Sequence, residues 1–181
     1  MLFNSVDFGL FFPVVFVIYW LLANRELKSR NAFLLVVSYI FYGWWDWRFL
    51  ALIAFSSLVD YAVGMALYQE KEKARRNVYL GLSIVCNIGL LGFFKYYNFF
   101  ADSFVDAFSL FGKHIHVNTL RVILPVGISF YTFQTMSYSL DIYRNTLKPT
   151  KDLVAFLAFV SFFPQLVAGP IERASNLLPQ F

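Results

Sequence analysis

Residues 124–144 read LPVGISFYTFQTMSYSLDIYR, a stretch long enough to cross a bilayer whose middle is rich in polar side chains. These polar side chains are Ser129, Thr132, Gln134, Thr135, Ser137, Ser139 and Asp141. Hydrocarbon offers no hydrogen-bond partners, so polar groups at this density are expected to face other helices or a wet cavity. The stretch is therefore predicted to be an inner helix of a polytopic membrane protein, with the other hydrophobic segments around it.

Helical spacing divides these polar residues between two faces. Gln134, Ser137 and Asp141 share one face, at i, i+3 and i+7. The other face carries Ser129, Thr132, Thr135 and Ser139. Because both faces are polar, we do not expect lipid to surround this helix on all sides.

The composition is that of an integral membrane protein. Of the 181 residues, 59% are hydrophobic and 14% are charged, whereas soluble domains are nearer half apolar and a quarter charged. The net charge of +4 is modest and lies in short loops, where it sets membrane topology. The lipid bilayer is therefore an expected partner and nucleic acid is not. The single cysteine, Cys86, cannot form an intrachain disulfide.

The predicted fold class is all-α, with about six hydrophobic helices. Five of them are predicted at residues 8–22, 49–68, 78–94, 124–144 and 153–168. The remaining one, second in the chain, begins at residue 32 and continues into an aromatic cluster at residues 39–47. The first is predicted to be an uncleaved span, because no positive charge precedes it. A separate amphipathic helix in the membrane interface is predicted at 96–111. Its polar face would carry Asn98, Asp102, Asp106 and Ser109, and its apolar face Phe100, Phe104, Phe108 and Phe111.

The distribution of positive charge predicts the orientation. Ten of the 15 Lys and Arg residues lie in the loops after the first, third and fifth segments. The positive-inside rule then places these loops in the cytoplasm, with the N-terminus outside a plasma (inner) membrane. If the second or sixth segment is re-entrant, the orientation changes downstream of it.

Two acids within the hydrophobic segments are candidate functional residues. Asp60 lies past the midpoint of the third segment, where a carboxylate is expensive and a functional role is the default. A structural hydrogen bond to Asn87 is the favoured alternative, because one lone acid makes no pathway. Asp141 is either paired locally with Arg144 or functional together with the polar face that it shares.

Residues 162–174 read FFPQLVAGPIERA, in which Pro164 and Pro170 bracket Gln165. Proline frees backbone carbonyls one turn earlier, and such breaks at membrane depth lie inside protein or beside a cavity. An ordinary helix end with a polar cap fits the spacing equally well. His114 and His116 are predicted to lie in a solvated loop, and no metal or catalytic motif is recognisable.

The chain resembles the N-terminal part of the membrane-bound O-acyltransferase family, in its bacterial branch that modifies alginate and teichoic acid. The resemblance lies in five segments in the family's order: MLFNSVDFGLFFPVVFVIYW, NAFLLVVSYIFYGWWDWRFL, LGFFKYYNFF, LPVGISFYTFQTMSYSLDIYR and FFPQLVAGPIERA. It implies a ring of membrane helices around a thinned centre with a funnel through it, of which residues 1–181 would be an incomplete part.

The resemblance also implies an activity. An acyl group would pass from a cytoplasmic donor, such as acetyl-CoA or an acyl carrier protein, to a hydroxyl of an envelope polysaccharide such as alginate. A partner protein outside the cell would often relay it, and no bound cofactor is expected. Candidate residues for the funnel wall are Ser129, Gln134, Ser137, Asp141 and Gln165. The family's catalytic histidine lies beyond Phe181, so we expect this chain to be truncated before it and inactive alone.

Two other classes of function stay open from the sequence. One is a membrane remnant or accessory subunit without catalysis, favoured by the missing histidine. The other is a small transporter or channel, disfavoured because the first four segments carry few polar groups.

Overall fold

The protein, seen in a computed structural model, is described over residues 3–110, 123–170 and 172–181, and every element in these ranges is a helix. The α-helices are α1 (Val6–Leu21), α2 (Leu27–Gly43), α3 (Arg48–Gln69), α4 (Lys73–Leu110), α5 (Ile128–Tyr143), α6 (Leu153–Ser161), α7 (Phe163–Ala168) and α8 (Ala174–Leu177). A short 3-10 helix follows at Leu178–Gln180. The predicted all-α class is confirmed within these ranges.

Helix α5 lies inside the bundle, in contact with α3, α4, α6, α7 and α8. Its Tyr131 side chain is almost fully buried. The helix begins at Ile128, four residues later than predicted, because the chain turns sharply at Gly127. Gly127 has a φ of 78°, in the left-handed region that favours glycine, and a Cβ there would lie 3.0 Å from the carbonyl oxygen of Leu166.

Close packing of α3 against α5 depends on the absence of a side chain at Gly64. A Cβ at this position would lie 2.5 Å from Cε1 of Tyr138 and 2.9 Å from Cδ1 of Ile142. Both partners are buried, so neither can move aside freely. Gly64 therefore sets the distance between the two helices.

The ends of α3 and α5 are joined by Arg76, at the start of α4. Its guanidinium donates to the carbonyl oxygens of Leu67 at 2.7 Å and Tyr143 at 2.6 Å. These carbonyls belong to the last turns of their helices, where no backbone N–H is available to them. One side chain thus caps two helices at once.

Helix α4 runs for 38 residues without a break. The separate interfacial helix predicted at 96–111 is therefore wrong, since the described part of that stretch continues the helix predicted to end near residue 94. No proline or glycine occurs between residues 93 and 110, and consequently nothing in the local sequence interrupts the helical hydrogen bonds.

Helices α6 and α7 are separated by a bend at Phe162, whose φ and ψ are −52° and 104°. The predicted break near Pro164 is confirmed. Pro164 lies in the first turn of α7, where the missing N–H is tolerated. Helix α6 begins where the side chain of Asp152 accepts hydrogen bonds from the N–H groups of Val154 and Ala155, at 2.9 and 3.1 Å.

Two helices in the described ranges are long and apolar enough to cross a membrane: Arg48–Gln69 and Lys73–Val105. Val6–Leu21 and Leu153–Leu166 are apolar but shorter. Six crossings therefore stay a prediction.

Candidate functional site

The first polar cluster surrounds Asp60 where α3, α4 and α5 meet, and we name it the Asp60 cluster. Oδ1 of Asp60 accepts hydrogen bonds from the hydroxyls of Ser83 and of Ser139, the latter at 2.8 Å. Oδ2 accepts from Nδ2 of Asn87 at 2.6 Å. The predicted bond between Asp60 and Asn87 is therefore present. All four side chains are buried.

The amide of Asn87 extends the cluster to two further hydroxyls. Its Oδ1 accepts from Ser56 at 2.7 Å and lies 3.2 Å from Oγ1 of Thr135. Nδ2 also donates to the carbonyl oxygen of Ser83 at 3.0 Å. The donors here take the place of water around a carboxylate in an apolar interior.

Sequence reasoning missed Ser56 and Ser83. A signal was available, because Ser56 precedes Asp60 by four residues and Ser83 precedes Asn87 by four, which puts each pair on one helix face. Two polar pairs at this spacing in adjacent apolar segments indicate a shared hydrogen-bond cluster.

The second polar cluster lies at the bend between α6 and α7, and we name it the bend cluster. An unbroken helix would join the N–H of Phe163 to the carbonyl oxygen of Phe159. Here Nε2 of Gln134 donates to the Phe159 oxygen at 2.8 Å, and the Phe163 N–H donates to Oγ of Ser38 at 3.3 Å. Side chains of α5 and α2 thus replace the hydrogen bond that the bend removes.

The bend cluster continues toward α8 through Gln165 and Ser137. Oε1 of Gln165 lies 3.4 Å from Nε2 of Gln134, and its own Nε2 donates to the carbonyl oxygen of Pro170 at 3.3 Å. Oγ of Ser137 donates to the carbonyl oxygen of Gln134 at 2.8 Å and accepts from the N–H of Ala174 at 3.3 Å. Three of the predicted wall residues therefore meet around one backbone break.

Asp141 lies on the same face of α5, about one turn beyond Ser137. Its side chain is 7% exposed, and its Oδ2 has no hydrogen-bond partner among the described residues. Within those residues, no ion pair joins it to Arg144. Ser129 is half-buried in the first turn of α5.

The polar groups around α5 are suited to hydrogen bonding. Amide, hydroxyl and carboxylate groups converge on it, and in residues 3–110, 123–170 and 172–181 no three His, Cys, Asp or Glu side chains could together hold a metal ion. His114 and His116 lie outside the described residues. The amides and hydroxyls of the two clusters bond protein partners, whereas Oδ2 of Asp141 is left to accept a hydrogen bond from another molecule.

Comparison with known proteins finds close relatives along the whole chain. The probable alginate O-acetylase of Pseudomonas aeruginosa is 40% identical over 98% of this chain, and that of Pseudomonas putida is 42% identical over the same share. The peptidoglycan O-acetyltransferase of Helicobacter pylori is 34% identical over 100% of it. No protein-family model and no solved structure matches.

The relatives are much longer than this chain. It spans 34% of the P. aeruginosa protein, 36% of the P. putida protein and 38% of the H. pylori protein. The region in common is the N-terminal portion of the relatives.

Proposed function

We propose that this chain, which is homologous to the N-terminal portion of bacterial O-acetyltransferases of the membrane-bound O-acyltransferase family, belongs to a protein of the same activity. The complete protein is then a membrane O-acetyltransferase. It would move an acetyl group from a cytoplasmic donor to a hydroxyl of a cell-envelope polysaccharide. The observation that carries this proposal is 40% identity over 98% of the chain to a protein named as an alginate O-acetylase.

The membrane arrangement in this proposal follows the apolar helices and the positive loops. The chain crosses the inner membrane several times, with the N-terminus outside and Lys28, Lys73 and Lys148 on the cytoplasmic side. The donor is acetyl-CoA or an acyl carrier protein, and the acceptor is a polysaccharide such as alginate. A partner protein outside the membrane relays the acetyl group to it.

The bend cluster supplies part of the wall of the transfer passage. Nε2 of Gln134, on α5, donates to the carbonyl oxygen of Phe159 before the bend and lies 3.4 Å from Oε1 of Gln165 after it, so these two amides lie at the bend between α6 and α7. Ser137 adds a hydroxyl on this face, Ser129 adds one from the first turn of α5, and Asp141 adds a carboxylate oxygen that is free to accept a hydrogen bond. The Asp60 cluster, on the opposite face, holds α3, α4 and α5 together.

Deleting the gene tests this function in a strain without a second homologous gene. The measurement is the acetate released from purified envelope polysaccharide by mild alkali, which cleaves esters. We expect the acetate to be lost and to return when the wild-type gene is restored. Unchanged acetate in the deletion strain contradicts the proposal.

A further inference from the structure

A groove of about 360 Å³ lies between α1 and the bend at residues 162–164. Phe12, Phe16, Tyr19 and Trp20 of α1 form one wall, and α2, the bend at residues 162–164 and the C-terminal turn form the other. Its volume is in the range of small-molecule sites, which are mostly apolar with few polar groups.

One end of the groove is polar and positively charged. The guanidinium of Arg30 lies 5.1 Å from the centre of the Tyr19 ring and donates a hydrogen bond to the Tyr19 hydroxyl. Nε of Arg30 is buried and has no hydrogen-bond partner within the described part of the chain. A guanidinium carries five N–H donors, so this end has donors to spare for an anion.

The other end of the groove is apolar. Phe12 precedes Tyr19 by seven residues, which places it about 10 Å further along α1. Phe163 packs near this end, and Trp20 is 61% exposed beside the polar end. The groove therefore runs from a cationic opening beside the α1–α2 loop to an apolar end.

We propose that this groove binds an anionic glycerophospholipid, with the phosphodiester against Arg30 and one acyl chain along the aromatic wall of α1. The groove is charged at one end and apolar at the other, as such a lipid is. The charged end of the groove lies where a loop leaves an apolar helix, at headgroup depth. Arginine binds phosphate through paired N–H donors. This role goes beyond acetyl transfer and is independent of it.

Quenching of Trp20 fluorescence by brominated lipid tests this assignment on the full-length protein in nanodiscs. Trp44, Trp45 and Trp47 are replaced by Phe, which leaves Trp20 as the chromophore in this region. The probes are dibrominated phosphatidylglycerol and dibrominated phosphatidylcholine, each as a minor component. We expect phosphatidylglycerol to quench Trp20 more strongly than its mole fraction predicts, and Arg30→Gln to reduce this enrichment about fivefold.

The matched control is Arg25→Gln, which removes an exposed positive charge outside the groove and should leave the enrichment unchanged. Native mass spectrometry of the protein without Trp substitutions gives a second readout, with phosphatidylglycerol retained by wild type and by Arg25→Gln and lost from Arg30→Gln. Equal quenching by the two lipids overturns the proposal. So does the absence of quenching by either, which would mean that another part of the protein fills the groove.

Discussion

At the scale of single residues, Asp60 shows how a carboxylate is kept in an apolar interior. Its two oxygens accept hydrogen bonds from Ser83, Ser139 and Asn87, which come from two other helices. Each bond is modest on its own inside a membrane protein, because the unfolded chain also finds partners. Removing the acceptor, however, leaves several buried donors unsatisfied together.

Asp60→Ala is therefore expected to lower the free energy of unfolding by about 2–3 kcal/mol. Asp60→Asn keeps the shape and one acceptor oxygen, and the loss should be smaller. The measurement is the thermal unfolding of the purified protein in detergent micelles. Asp7→Ala is the control, because Asp7 is exposed in the first turn of α1 and its replacement should change stability by less than about 0.5 kcal/mol. A Tm for Asp60→Ala equal to that of Asp7→Ala would contradict the structural role.

At the scale of helices, the contact between α3 and α5 is set by one missing side chain. Gly64→Ala places a methyl group 2.5 Å from Cε1 of Tyr138, which forces the helices apart. We expect a loss of about 1–3 kcal/mol in unfolding free energy. The matched control is Gly81→Ala in α4, where a Cβ meets nothing within 4 Å and better helix propensity should stabilise by up to about 1 kcal/mol. If both variants shift the Tm in the same direction, the close contact at Gly64 is not what limits the packing.

Several features of the helices could be predicted from the sequence. The two polar faces of α5 followed from spacing alone, because helical period fixes which side chains share a face. Their separate partners, the Asp60 cluster and the bend cluster, agree with that division. The break near Pro164 was also predictable, since proline removes a donor wherever it stands.

The features of the helices that could not be predicted from the sequence have a physical reason as well. The continuity of α4 could not be predicted because the stretch at 78–94 is apolar whereas the stretch at 96–111 is amphipathic. These two patterns suggested two separate helices, although both are compatible with one continuous helical backbone. The start of α5 at Ile128 depends on the approach of Gly127 to Leu166. That contact joins residues far apart in sequence, and local pattern carries no information about such distances.

At the scale of the whole molecule, the proposed topology places the loops before and after α3 on opposite sides of the membrane. In a Cys86→Ser background, Asp46→Cys and Lys73→Cys are expected to react with a membrane-impermeant maleimide from opposite sides of the membrane. Ser29→Cys should react from the same side as Lys73→Cys. Labelling of Asp46→Cys and Lys73→Cys from one side would rule out a crossing by α3.

The most direct test of the central claim compares two neighbouring residues of α5 in the complete protein. Gln134 is buried and holds the bend between α6 and α7, whereas Phe133 is 44% exposed on the outer side of α5. Each variant, Gln134→Leu or Phe133→Leu, is expressed in the deletion strain, protein levels are matched, and alkali-released acetate from the polysaccharide is measured. We predict that Phe133→Leu restores the wild-type amount of acetate. Gln134→Leu should lower the amount of acetate at least about tenfold, because small displacements of groups in an active site strongly reduce the reaction rate. Equal acetate from the two variants would contradict the account.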